Sequence, residues 1–380
     1  MIKPGYKRLG DYIEPMDERN SNLSVKLSQG ICNNKYFITP RQVAENSAND
    51  KIVRTGQFAY NRATTRNGDK ISIAYREGPD CTVSSAYQIF RIKDENKLNP
   101  HYLWMWFSRP EFDRYARFKS RGSAHEFFEW DEMCEVYLPI PDIHVQRQIV
   151  AEYQAIENRI HCNEQLISKL ETTADTIFKN LFIDSIDVKH LPTGWQYSKL
   201  GDYCSQLYRG ITPSYEDDSP ELVLGQTCVR NNRVSLSNAR HHILKGKTVK
   251  KVTTWDILIN STGEGSLGRV GIVYFPDNNV SFDSHITLVR SDNPLYQIYL
   301  GRNLLLRQSE IENMAIGSTG QTELPRESVA NIDLVIPTEN VLSAFNQQIK
   351  SIMQYVYSLA EENKLLGELL ILLRMRVASL

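Results

Sequence analysis

The chain lacks most of the signatures that would make it an enzyme of an obvious kind. Its 380 residues hold six cysteines, at 32, 81, 134, 162, 204 and 228, with no CxxC pair and no His pair at zinc-ligand spacing. That excludes the common zinc and thiol-redox motifs and fits reduced, small apolar side chains in a cytoplasmic protein. Long apolar runs are missing too. The most apolar stretch, "LLGELLILL", is broken by Gly367 and Glu368, and the first twenty residues carry no apolar leader segment, so neither a membrane span nor export is expected. Lys plus Arg number 44 against 45 Asp plus Glu, a net charge of −1, so no global attraction to a polyanion exists. No P-loop, GxSxG, HExxH or Asn/Asp-Pro-Pro-aromatic stretch occurs, and the adjacent His241 and His242 cannot both face one metal in a regular element. No catalytic residue, metal or cofactor is therefore expected in this chain. Gly263-x-Gly265-x-x-Gly268 matches the dinucleotide fingerprint formally, but "RVGIVYF" after it reads as a strand, leaving no helix N-terminus for a pyrophosphate.

What the chain does have is a repeat. "YKRLGDYI" (6–13) returns as "YSKLGDYC" (197–204). "ISIAYREGPDCTVSS" (71–85) returns as "VGIVYFPDNNVSFDS" (270–284), aligning Tyr75 with Tyr274. "RGSAHEFFEWDEMCEVYLPIP" (121–141) returns as "IGSTGQTELPRESVANIDLVIP" (316–337). The order is preserved, so the chain reads as a tandem duplication. Each half starts β-rich, with strand-like segments such as "AYQIFRI" and "HITLVR" and a helical stretch inside. The prolines of "LPIP" and "VIP" then introduce a long helical pattern. This gives an α+β fold in four parts. Residues 1–141 and 191–337 are β-rich domains; residues 142–190 and 338–380 are helical regions.

The helices keep a heptad beat. The first seam runs Ile149, Tyr153, Ile156, Ile160, Asn163, Ile167, Leu170, Ala174, Ile177, Leu181. The second runs Phe345, Ile349, Ile352, Val356, Leu359, Asn363, Leu366, Leu370, Leu373, Val377, Leu380. An ordinary core helix drifts off a strict seven-residue period, so an antiparallel coiled coil is expected. Pairing residues whose numbers sum to 526 sets Ile149 against Val377, Leu170 against Val356, Leu181 against Phe345, and Asn163 against Asn363. The duplication offset does not align the two Asn residues, so they read as a register-fixing polar pair. The seam from Ile149 to Leu181 spans ~50 Å at ~1.5 Å per residue, longer than one turn of DNA at ~34–36 Å.

Positive charge is placed locally. Residues 222–255 contain no acid but hold Arg230, Arg233, Arg240, Lys245, Lys247, Lys250 and Lys251; residues 61–70 and 114–125 mix basic with small polar side chains. Arg and Lys hold phosphates, while Arg, Asn and Gln bond base edges. A solvated charged face is the plainer reading of any one cluster, but two clusters in duplicated domains point to nucleic acid. The candidate DNA contacts in the first domain are Arg62, Thr65, Arg66, Asn67, Lys119, Arg121 and Ser123. Those in the second are Arg230, Asn232, Arg233, Ser261, Thr262, Arg269, Ser318, Thr319 and Gln321.

Two β-rich domains opening on "LGDY", the "LPTGW" that starts the second, and the "LPIP" and "VIP" entries to two long helices together resemble the specificity subunits of type I restriction–modification systems, over nearly the full length. The family often carries Glu-Gln after the helix-entry prolines; here Val145 and Gln146 stand there in the first copy and neither residue is kept in the second. The resemblance implies two target-recognition domains, each reading half of a bipartite double-stranded DNA sequence, and a coiled coil docking two methyltransferase subunits. Those partners would bind S-adenosylmethionine and methylate adenine, and a restriction subunit could join; this chain would supply specificity without catalysis. Two other readings stay open: a scaffold whose duplicated domains bind protein, and a stand-alone enzyme acting through the Gly263 loop.

Overall fold

The computed structural model describes residues 5–40, 48–64, 70–120, 126–187, 189–243, 250–275, 279–317 and 322–378. It divides into two compact units. Unit 1 comprises residues 1–161 and 363–380; unit 2 comprises residues 162–362.

Unit 1 holds strands β1 (Tyr6–Arg8), β2 (Ile13–Met16), β3 (Gly30–Ile31), β4 (Phe37–Ile38) and β5 (Lys51–Val53). They continue with β6 (Phe58–Asn61), β7 (Ile73–Tyr75), β8 (Cys81–Val83), β9 (Tyr87–Ile92) and β10 (Tyr137–Pro139). Helices α1 (Pro100–Phe107), α2 (Pro110–Lys119) and α3 (Trp130–Cys134) follow the main strands, and α4 (Ile143–Lys179) begins here. The central sheet runs β2-β9-β6-β7, all antiparallel. Side chains alternate faces along a strand. Phe58, Tyr60, Phe90 and Ile92 therefore join the helices in one core, and Ala59, Ala74 and Ile89 join Ile31, Val53 and Val83 in another.

Unit 2 holds β11 (Gln196–Lys199), β12 (Gln206–Arg209), β13 (Leu222–Leu224), β14 (Val229–Arg230), β15 (Arg233–Val234) and β16 (Arg240–His241). They continue with β17 (Ile257–Asn260), β18 (Val270–Ile272), β19 (Val280–Phe282), β20 (Ile286–Arg290) and β21 (Asp333–Ile336). Its helices are α5 (Pro294–Leu306), α6 (Gln308–Asn313) and α7 (Arg326–Ala330), with most of α8 (Glu339–Val377). The main sheet runs β12-β20-β17-β18 and extends through β15 to β14.

The shared strand order confirms the duplication in three dimensions. β6 and β17 stand 199 positions apart, as do the pairings Asn61 with Tyr87 and Asn260 with Ile286. Gly56, with φ +88°, accepts the role that Trp255 takes with φ +76°, and each donates its N–H into the next strand, to Arg76 O and Val273 O. One alignment needs correction. Phe58 pairs with Tyr75 and Ile257 pairs with Ile272, so Tyr75 corresponds to Ile272 and not to Tyr274. The loop into β18 is shorter by two residues than the loop into β7, and the Tyr match is a coincidence of composition.

Each unit caps its sheet with a helix that starts on the same device. Asn99 accepts from Tyr102 N at 3.1 Å with Pro100 at the first helical position, and Asn293 accepts from Leu295 N at 3.0 Å with Pro294 there. The single helical stretch expected in each domain is broken in both. Pro110 starts α2 afresh after Arg109, since proline cannot continue the hydrogen-bond ladder.

The Gln146 amide is fully buried. It accepts from Asn99 N at 2.9 Å and donates to Lys97 O and Pro141 O, pinning the start of α4 to the start of α1. Leu342 stands at the matching place in unit 2, also fully buried, so hydrocarbon replaces that polar joint.

The two long helices pack antiparallel within each unit. In unit 1, Ile149, Tyr153, Leu370 and Val377 are buried together, with Ile156, Ile160 and Leu373 against them. Arg374 Nε donates to the Tyr153 hydroxyl at 2.9 Å. In unit 2, Ile167, Ala174, Phe345, Ile349, Val356 and Leu359 share the main core. Leu181 departs from the heptad expectation: it is 40% exposed, and Phe182 faces Phe345 at 5.0 Å between centroids. The last turn, Asn180–Asp184, is a π-helix, whose extra residue per turn rotates the next side chain inward. Asn163 is buried at 2% exposure in unit 2. Asn363 belongs to unit 1, where its Nδ2 donates to Ile160 O at 3.4 Å.

Unit 2 also buries charge. Arg302 on α5 is 1% exposed and pairs with Asp175 of α4, while its Nη1 lies 3.8 Å from Met353 Sδ. One turn earlier on α4, Glu171 meets Arg233 of β15 at 3.0 Å. Burial raises the Glu171 carboxyl above the usual range even with Arg233 and Arg302 opposing it.

Candidate nucleic-acid interface

In both units the polar surface gathers where the central hairpin strand ends. β6 stops at Asn61, β9 starts at Tyr87 beside it, and the chain continues through Arg62 and Ala63. Phe128 N donates to Arg62 O at 2.9 Å and Ala63 bridges to Phe127. In unit 2, Asn260 pairs with Ile286, Leu324 N donates to Ser261 O at 2.8 Å, and Thr262 bridges to Glu323. The backbone is the same; the side chains are not.

The expected contacts separate clearly on this frame. Arg62 is half-buried at the surface of unit 1, 3.3 Å from Glu129, with Nε directed at Ala86 O. Lys119 ends α2 and is paired with Glu132 at 3.0 Å. Arg230 is exposed beside the tight turn of the β14–β15 hairpin, where Asn231 and Asn232 take φ of 52° and 63°. Asn232 gives its carbonyl to Ile272 N at 3.3 Å. Thr262 and Arg269 are half-buried in the β17–β18 loop, and Arg269 Nη2 donates to Gly265 O at 2.5 Å. Thr65, Arg66, Asn67, Arg121, Ser123, Ser318, Thr319 and Gln321 lie outside the described residues.

Two expectations are overturned. Ser261 is fully buried, its hydroxyl bonded to Thr287 Oγ1 at 2.5 Å, because it follows β17 with the inward parity that Arg62 escapes by its length. Arg233 is spent on Glu171 of α4, with its side chain only 17% exposed, so it ties a strand to a helix. Neither side chain can meet DNA as placed.

Other residues occupy the surface that those two were expected to supply. Arg209, at the end of β12, lies 2.8 Å from Glu323 and donates to Leu324 O at 3.1 Å. Lys250 sits 4.6 Å over the Tyr208 ring and donates to Arg209 O. With Arg326 they line an open groove of about 700 Å³. Gln226 gives its Nε2 hydrogens to Thr262 O and Thr262 Oγ1, and Thr262 Oγ1 also meets His285 Nδ1 at 2.8 Å. Gln226 lies within the basic stretch 222–255 but carries no charge itself, and His285 lies outside the basic stretches, so charge patterning picks out neither side chain. The repeat alignment was the usable signal, since it places His285 where unit 1 has Ala86. The Gly263 loop is a hairpin turn between β17 and β18, with Gly263, Gly265 and Gly268 at φ of 96°, 68° and 79°. A Cβ on Gly263 would stand 2.8 Å from the Gln226 amide. Among the described residues no group of three or more His, Cys, Asp or Glu could hold a metal, and no helix is long and apolar enough to cross a membrane.

Comparisons with known proteins agree on one family. No family model matches. The chain is 23% identical over 277 residues to the type I restriction enzyme MjaIX specificity subunit of Methanocaldococcus jannaschii, covering 67% of this chain and 62% of that one. It is 18% identical over 410 residues to the HindI specificity subunit of Haemophilus influenzae, covering 87% of each. The match thus spans less than two thirds of the first relative's length. Among solved structures, the type I restriction–modification S subunit from M. genitalium superposes with a TM-score of 0.63 at 13% identity, covering 98% of this chain and 95% of that one. In sequence over most of its length, and in fold, the chain is similar to the type I restriction–modification specificity subunits.

Proposed function

We propose that the chain is the DNA-specificity subunit of a type I restriction–modification complex, each unit reading one half of a split double-stranded site. One observation carries the reading. The two units keep the same backbone register where β6 and β17 end, yet present different side chains there: Arg62 with Ala63 and Ala86 in one, Thr262 with His285 in the other, where Ser261 is buried. A duplicated scaffold with an altered polar surface suits recognition of two unlike half-sites. Arg230, Arg209 and Lys250 supply cations for phosphates, which position the protein without reading sequence. In this reading Asn163 and Asn363 fix the register of the long helices. S-adenosylmethionine and the methyl transfer to adenine belong to partner subunits, and the complex leaves room for a restriction subunit.

The docking surface for the methyltransferases is the far end of α8. Leu365, Leu369, Ile371, Leu372 and Met375 are 42–63% exposed within eleven residues, a density of bare hydrocarbon that a lone soluble chain rarely carries. Leu369→Lys with Leu372→Lys is expected to leave the melting temperature of the isolated chain within about 2 °C, since both side chains are already in solvent. Co-purification of the methyltransferase with the doubly substituted chain should be lost. Intact co-purification places the docking surface elsewhere.

The function itself is tested by expressing the chain with its methyltransferase in a host free of adenine modification and mapping methylated adenines. A two-part sequence motif is expected. Complex formation on the cognate DNA should weaken steeply with salt, with a logarithmic slope set by the phosphates engaged.

A further inference from the structure

The end of β17 in unit 2 carries a hydrogen-bond chain with two open ends. Gln226 Nε2 donates both hydrogens to Thr262, one to the carbonyl and one to Oγ1. The amide is clamped by Gly263, where any larger residue would strike it. Both donors being used, only the Gln226 carbonyl oxygen is left, and it has no partner among the described residues. Thr262 Oγ1 lies 2.8 Å from His285 Nδ1. In one of the two imidazole tautomers the Thr262 hydroxyl gives its single hydrogen to His285 Nδ1. His285 then carries its proton on Nε2, and His285 is exposed. The chain thus ends in one acceptor, Gln226 Oε1, and one donor, His285 Nε2–H.

The same address in unit 1 holds different chemistry. Ala63 stands in place of Thr262 and Ala86 in place of His285. Arg62 lies over that spot, with its Nε directed at Ala86 O. A guanidinium offers donors only, whereas the unit 2 chain offers a donor and an acceptor together.

We propose that Gln226 and His285, held by Thr262, are the base-reading group of unit 2, and that they recognise a base edge presenting an exocyclic amine beside a ring acceptor, the major-groove pattern of adenine. Arg62 takes the corresponding place in unit 1, where donors alone suit guanine. This rests on the specificity-subunit reading above and adds to it which side chains discriminate.

The test uses the full chain with its methyltransferase, and maps methylated adenines for the wild type, His285→Ala, Thr262→Val and Arg62→Ala. His285 is exposed and Thr262→Val keeps shape, so folding is checked by melting temperature and is expected to hold in both. His285→Ala and Thr262→Val should each relax the same single base position in one half of the motif, with discrimination there falling about tenfold. Arg62→Ala should relax a position in the other half. An unchanged motif with either unit 2 substitution overturns the inference, as does uniformly weaker methylation at an unchanged motif, or relaxation at two different positions. A wild-type complex that methylates without sequence preference overturns instead the specificity reading on which the inference rests.

Discussion

Replacing Asp175 with Ala is expected to destabilise unit 2 by about 3 kcal/mol, the low end for breaking a buried ion pair. Arg302 stays behind at 1% exposure, with a Met sulfur at 3.8 Å, the Tyr274 hydroxyl close by and its Nε without a partner. Asp175 itself is 34% exposed, so part of its charge is solvated and the upper end of the range does not apply. Glu171, one turn away on α4, is committed to Arg233 at 3.0 Å and gives limited relief. The pair need not be a net gain over hydrocarbon. Replacing both partners, Asp175→Leu with Arg302→Met, should recover most of the loss, because no charge is then left stranded. Urea unfolding of the wild type and the two variants checks this. A single Asp175→Ala change below about 1 kcal/mol would show that Arg302 reaches water without it.

Phe178→Ala is expected to be at least as damaging, at about 3–5 kcal/mol. The ring is 1% exposed and sits 5.0 Å from Phe182, 5.5 Å from Tyr299 and 5.7 Å from Phe345. Truncation opens a void among three aromatic rings, Phe182 in the π turn, Tyr299 on α5 and Phe345 on α8, so little collapse can fill it. Leu181→Ala is the informative control. The heptad pattern puts Leu181 in the seam opposite Phe345, but its side chain is 40% exposed in the π turn. Its truncation should shift stability by about 0.5 kcal/mol or less. Equal losses from the two substitutions in urea unfolding would restore the straight heptad and contradict the π turn.

That contrast shows where sequence pattern is a sound guide. The heptad and the duplication rest on period and order, which survive in the backbone: Ile149, Tyr153, Val356 and Val377 are inside as their spacing implies. α3 and α7 lie 196 positions apart, the offset of Pro141 and Pro337. Period fails where geometry changes locally. One extra residue in the Asn180–Asp184 turn exchanges Leu181 for Phe182, and no composition signal marks it. The candidate interface was legible only in part. Charge clustering picks Arg62 and Arg230, which lie at the surface, but also Arg233, because a run of bases does not reveal that Glu171, 62 positions away, lies beside one of them. Ser261 reads as a polar loop residue, yet the parity of β17 turns it onto Thr287. Gln226 and His285 carry no charge pattern at all and emerge only when the two units are compared at equivalent backbone positions.

The most direct test of the two-reader account is the methylation motif of a chain altered in one unit alone. Arg230→Ala, in unit 2, removes a surface cation and should lower methylation at every site while leaving the motif intact. His285→Ala should change one base in one half and leave the other half and the gap between them untouched. A motif without two separated halves, or a unit 2 substitution that alters both halves together, would contradict the assignment of one half-site to each unit.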